Sequence, residues 1–154
     1  MILFLDFDGV LHPWDPKIRQ DETNMFYLVP QLERVLQNFP EVEVVISSSW
    51  REKYHLDKLR YLFSPEMRHR IIGVTPHTRL DELGRYPRGC RSREIQQWLF
   101  EKQRDPKRWL ALDDLDWLFD EESLENVVLC ASAQGLTEEK AAELSDRLQK
   151  MQAQ

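Results

Sequence analysis

The chain has only two cysteines, Cys90 and Cys130, in 154 residues. Nothing in their placement resembles a disulfide framework or a zinc-ligand spacing, so a reducing, cytoplasmic setting is the expectation. Cys130 ends an apolar run and reads as a small buried hydrophobe. Long apolar runs are also missing, and no stretch reaches the roughly 20 residues that cross a bilayer, so no membrane association is expected. The N-terminus has no basic region and its apolar run breaks at Asp6, so no signal peptide is expected. Positive charge is in deficit: 21 Lys and Arg stand against 27 Asp and Glu, a net charge of -6. That balance argues against non-specific binding of nucleic acid by the whole chain but leaves room for a local basic patch. No internal repeat, linker or low-complexity tract interrupts the sequence. Its length and ordinary composition, with 42% hydrophobic and 31% charged residues, fit one globular domain over 1–154.

What the sequence does have begins at once, in the stretch MILFLDFDGVL. Ile2 to Leu5 are continuously apolar, the pattern of a buried strand in a parallel sheet. Asp6, Asp8 and Gly9 follow directly. Two acids at the end of a buried strand are costly unless something pairs with them. Ligands of open α/β sheets bind outside the carboxyl ends of the strands, so the strand delivers Asp6 and Asp8 to a site. A calcium loop of the EF-hand type is excluded, because its sixth and twelfth positions would be Leu11 and Lys17 rather than Gly and Glu.

The rest alternates. Residues 12–27 lack a period and read as an irregular excursion of functional length beside the active strand. Within it, Trp14 is either a stacking surface for a substrate or a half-buried loop aromatic, and His12 reads as a loop residue rather than a base. Pro30 opens a helix whose apolar face is Leu32, Val35, Leu36 and Phe39. Val42 to Ile46 form a second strand, followed by Ser47, Ser48, Ser49, Trp50 and Arg51. A helix is expected over Glu52–Phe63, broken by Ser64-Pro65, and a third strand over Ile71–Val74. Thr75 to Gly89 is a polar connection. In and just beyond it, Arg79, Arg85, Arg88, Arg91 and Arg93 make the one locally basic stretch, either a solvated face or a rim for an anionic substrate. A helix with Ile95, Trp98 and Leu99 inward comes next. Trp109 to Leu112 form a fourth strand that ends in Asp113-Asp114, and Asp116 opens or caps a short helix. Val127 to Cys130 form a fifth strand. Thr137 caps the last helix, with Leu136 stapled on Ala141. The implied fold is α/β: a doubly wound, mostly parallel sheet of about five strands with helices on both faces.

The first stretch resembles motif I of the haloacid dehalogenase-like (HAD) phosphohydrolases, and the other motifs of that family occur in the right order. SSSWR resembles the second motif of capless HAD domains, including those of RNA-repair proteins. WLALDDLDW resembles the fourth. About thirty residues between the first two strands leave no room for a large cap domain. The resemblance implies a phosphomonoesterase that forms an aspartyl phosphate. Asp6 is the implied nucleophile and Asp8 the acid and base. A hydroxyl of the serine turn holds the phosphoryl group; Ser48 is favoured, with Ser47 and Ser49 as alternatives. The family's third motif is a cation, usually Lys; here alignment of the helix favours Arg91 over Arg88 and Arg93. Arg51 either helps hold an anionic substrate or makes an ion pair. Magnesium would be held by Asp6, the backbone of Asp8, and Asp113, with Asp114 ligating through water or orienting Arg91. The expected partner is a phosphorylated small molecule or a nucleic-acid end. The alternative function is a non-catalytic magnesium- and phosphate-binding module of a larger assembly. A phosphoacceptor receiver domain does not fit, because nothing after Ile71–Val74 supplies the phosphoacceptor.

Overall fold

A computed structural model describes residues 1–15 and 25–154. Part of the irregular excursion read from the sequence, residues 16–24, lies outside them. Five strands form one sheet: β1 (Ile2–Leu5), β2 (Glu43–Ile46), β3 (Ile71–Val74), β4 (Trp109–Asp113) and β5 (Val127–Leu129). Their order is β3-β2-β1-β4-β5 and every pairing is parallel. The helices are α1 (Val29–Gln37), α2 (Leu56–Arg60), α3 (Pro65–Arg68), α4 (Cys90–Glu101) and α5 (Glu138–Gln152). No large cap is present among the described residues.

Strand side chains alternate between faces, and here both faces are covered. Leu3 and Leu5 of β1 join Val44, Ile46, Leu110 and Leu112 in a core under α1, α2, α3 and α5. Ile2 and Phe4 join Val45, Ala111 and Val127 in a second core under α4, with Ile95, Trp98 and Leu99. Phe4 meets Trp98 and Trp109 edge-on at 5.7 and 5.9 Å, a favoured aromatic geometry. Two buried faces explain why the strands read as unbroken apolar runs.

The sequence expectations hold for α1, with Pro30 in its first turn, and for α5, where the Thr137 hydroxyl accepts the Lys140 amide. They fail over Glu52–Phe63. Instead of one helix there is a 3-10 turn over Ser49–Glu52, then α2. The Ser48 hydroxyl accepts the Trp50 amide, and Arg51 reaches back to the carbonyls of Ser47 and Ser48. Both contacts tighten the turn. Ser64-Pro65 ends one segment and also starts α3, where a proline at the first position is well tolerated. Asp116 opens the short helix after β4 as its first residue and does not cap it; Leu115 holds the cap position without a side-chain bond.

Candidate active site

The site lies where β1 and β4 end. Their register pairs Leu5 with Leu112, and the Asp6 amide donates to the Leu112 carbonyl at 3.0 Å. Asp6 and Asp113 therefore follow on adjacent strands, on the face that carries α4. Both are buried, 6% and 1% exposed. Asp113 Oδ1 accepts the amides of Asp114 and Leu115 at 2.8 and 3.0 Å. Its Oδ2 is buried without any hydrogen bond. Asp114 stands against Gly9, where a β-carbon would come within 2.2 Å of Asp114 Oδ2. Each of Asp6, Asp113 and Asp114 offers an oxygen within 4.8 Å of the others.

Crowding acids in a buried place penalises their charged forms. Burial, then the neighbouring Asp113, pushes the Asp6 carboxyl well above the ordinary range. Burial raises Asp113 too, against the pull of Arg91 and the two amides. Burial, opposed by a hydrogen bond from Ser132 and reinforced by Asp113, pushes Asp114 up to about 6.

The cation that faces these acids is Arg91. It sits in the first turn of α4, buried, with Nε 3.3 Å from Asp113 Oδ2. Burial alone would lower its pKa, but Asp113, Asp6 and Glu94 raise it above the usual arginine value. Arg88 and Arg93 are exposed, and Arg93 donates to the Arg88 carbonyl. Asp114 does not orient Arg91; Asp113 and Glu94 do, the latter at 3.6 Å.

Of the two readings of Arg51, the structure has the ion pair, but a buried one rather than one at the surface. Its guanidinium is buried, pairs with Glu94 at 3.0 Å, and donates to the carbonyls of Ser47, Ser48 and Pro76. Those bonds make it a strut between the serine turn and α4 rather than an arm for a substrate anion. The serines separate as well. Ser48 is fully buried, its hydroxyl accepts the Trp50 amide at the start of the 3-10 turn, and it does not line the cavity. Ser47 is buried one step beyond the Leu5–Ile46 pair, alongside Asp6, and its amide donates to the Leu5 carbonyl. Ser49 is exposed and lines the cavity.

That cavity has a volume of 490 Å³. Asp6, Asp8, Asp114, Arg91 and Ser49 make its polar end, and Trp14, Tyr86, Leu115, Trp117 and Leu118 its apolar walls. Asp8 is held from two sides. His12 Nε2 donates to its Oδ1 at 2.9 Å, and Trp50 Nε1 lies 3.1 Å from both oxygens.

A family model described as the HAD domain in Swiss Army Knife RNA repair proteins matches residues 2–141. The chain belongs to that family. No curated protein matches it significantly.

In this HAD domain, the residues that sequence reasoning missed are the partners of the acids. Glu94 links Arg51 to Arg91 and also accepts the Thr78 amide. Its signal was present: it falls three residues after Arg91 on the face of α4 that carries Ile95 and Trp98, so its charge had to be buried. His12, four residues after Asp8, is in the loop after β1 as read from the sequence, but buried there. Trp50 gave no local signal, because its contact with Asp8 spans 42 positions. Of the basic stretch, Arg79, Arg85, Arg88 and Arg93 are exposed, and Arg85 pairs with Asp81. Among the described residues, no helix is long and apolar enough to cross a membrane.

Proposed function

We propose that this HAD domain is a magnesium-dependent phosphomonoesterase that works through an aspartyl phosphate. One observation carries the reading: three acid oxygens within 4.8 Å of each other, at the strand ends, beside a buried arginine and under a cavity.

The residues fit a hard divalent cation. Each ionised carboxylate pair repels by about 4 kcal/mol at 4 Å and an effective dielectric of about 20. Asp113 Oδ2 is buried, makes no well-formed hydrogen bond and faces only the Arg91 guanidinium at 3.3 Å, so a lone pair is left over for a ligand. Asp6, Asp113, Asp114 and the Asp8 backbone carbonyl would hold Mg²⁺, which supplies charge neutralisation to the acids and to the phosphoryl oxygens.

The side chains divide the remaining work. A carboxylate oxygen of Asp6 attacks phosphorus, and the bond from phosphorus to the ester oxygen breaks. Asp8 gives its proton to that oxygen. Asp8 then takes a proton from water, whose oxygen attacks phosphorus, releases phosphate and frees Asp6. Arg91 offsets charge on the phosphoryl oxygens, with a hydroxyl from Ser49 or Ser47 as a neutral donor. The test is hydrolysis of p-nitrophenyl phosphate with Mg²⁺. Turnover stopped by a chelator and lost in a folded Asp6→Asn variant is expected. Wild-type rate in that variant would exclude Asp6 as nucleophile, and no turnover by the native protein would favour a non-catalytic module.

For substrate, we favour a phosphate at a nucleic-acid end. A 490 Å³ cavity is larger than a phosphate needs, and its walls include two part-exposed indoles, Trp14 and Trp117. Indoles stack on bases with little regard for sequence. The family's occurrence in RNA repair proteins points the same way. Binding of an oligonucleotide 3′-phosphate should weaken as salt rises. Absence of binding at low salt, with small phosphate esters still hydrolysed, would turn the reading to small molecules.

A further inference from the structure

Asp8 is held by two aromatic-ring N–H groups from outside the acid cluster. Trp50 Nε1 lies 3.1 Å from both of its oxygens, and His12 Nε2 lies 2.9 Å from Oδ1. The His12 ring is 1% exposed, and its other nitrogen, Nδ1, is buried with no partner. A proton on Nδ1 would be a buried donor without an acceptor, so the ring proton belongs on Nε2, where it donates to Asp8.

Both donors are themselves held in place. Phe26 packs edge-on against His12 and against Trp50, with ring centroids 4.9 Å away in each case. Tyr54 lies against the other part of Trp50 at 5.5 Å, and Phe7 meets Phe26 at 5.5 Å. Phe26 takes up φ +64 to make these contacts. That left-handed region is strained for a bulky residue, and such strain persists where surrounding structure enforces it. A hydrophobic core alone does not need a buried imidazole whose second nitrogen is unsatisfied. A fixed carboxylate does need donors of fixed direction.

We infer that His12 and Trp50 are positioning residues that lock the Asp8 carboxylate toward the leaving group. This rests on the phosphomonoesterase reading, in which Asp8 protonates the ester oxygen. Neither residue lines the cavity over the acids. Their removal therefore acts on proton delivery and not on phosphate binding.

Leaving-group dependence tests this, because p-nitrophenolate departs without a proton and an alkoxide does not. Trp50→Phe keeps the ring packing and removes the N–H. It should lower kcat/KM for glycerol phosphate, which covers only the steps through departure of the leaving group, by at least about tenfold, part of the 10²–10⁴ of general acid catalysis. The kcat/KM for p-nitrophenyl phosphate should fall no more than two- to threefold. His12→Asn should show the same split more weakly. Equal losses on both esters, or none, would overturn the inference. A second measurement is independent of turnover: the indole ¹⁵N–¹H resonance of Trp50, assigned with the Trp50→Phe variant. In Asp8→Ala it should move to the position of a free indole and exchange faster with solvent; an unmoved resonance would overturn the clasp. A native protein with no hydrolase activity and a resonance that does move would keep the clasp and end the phosphatase reading.

Discussion

Replacing Asp114 by Asn should stabilise the metal-free protein, although it removes a functional group. Asp114 has its carboxyl at about 6 in the fold, against 3.8 for the free side chain. The folded state thus binds this proton more tightly than the unfolded state does. The fold is favoured by this group at low pH, loses that advantage as pH rises from about 4 to about 6, and is flat above. Two pH units correspond to about 3 kcal/mol, and solvent reaching the side chain reduces this to about 1–2 kcal/mol. Asp6 and Asp113 are raised too and act in the same direction. Asn keeps an oxygen for the Ser132 hydroxyl and removes only the charge. In urea titrations with EDTA at pH 8, Asp114→Asn should be more stable than the native chain by about 1–2 kcal/mol, with the advantage shrinking toward pH 4. With millimolar Mg²⁺ the order should reverse, because only the native acid cluster gains binding free energy. A variant less stable than the native protein at pH 8 in EDTA, or an advantage independent of pH, would refute the reasoning.

Three other outcomes follow from the same contacts. Gly9→Ala must place a β-carbon 2.2 Å from Asp114 Oδ2 at φ +70; it should lower stability by about 1–3 kcal/mol and abolish the rise in Tm produced by Mg²⁺. Arg91→Met should reduce kcat/KM for any phosphate ester at least about 10²-fold, because it removes a buried charge next to the phosphoryl site; a loss below fivefold in steady-state assays would remove Arg91 from the site. Arg70→Met should cost about 3–5 kcal/mol in denaturant melts, since Arg70 donates to the carbonyls of Leu36, Phe39 and Val42 and leaves them unsatisfied when removed. Because it lies away from the cavity, the folded Arg70 variant should keep its KM.

What could be read in advance was what depends on neighbours in the chain. β1, β2 and β4 are short apolar runs because both faces of the sheet are covered, and α1 and α5 carry Pro30 and Thr137 as start signals. Asp6, Asp113 and Asp114 follow such runs directly, and the burial of Asp6 and Asp113 at the strand ends is a consequence. The buried arginines were not legible. Arg51 and Arg70 look like surface charge in a sequence, and what pulls them inside is a set of carbonyls 3 to 34 positions away. The serine turn was not legible either. Whether Ser47, Ser48 or Ser49 faces the cavity depends on where β2 stops and the 3-10 turn begins, a choice made by Arg51 and Ser48 together.

Strand parity explains why the acids meet Arg91 rather than the larger core. Asp6 shares its side of the sheet with Ile2 and Phe4, and Asp113 with Trp109 and Ala111, all under α4. Neighbouring parallel strands run about 4.8 Å apart, so carboxylates at the same level of β1 and β4 are held at about that spacing by the backbone itself. The repulsion between them cannot be relieved by moving apart without breaking the Asp6 amide bond to Leu112. Among the described residues, α4 is the helix that covers this face, and its first turn lies at the strand ends where a cation is needed. A register shift of one residue in β4 would turn Asp113 toward Leu3 and Leu5 and bring Leu112 to Arg91, leaving a charge buried on each side. The paired acids and the arginine thus stabilise one register over its neighbours, even though the acids oppose one another until a divalent cation joins them.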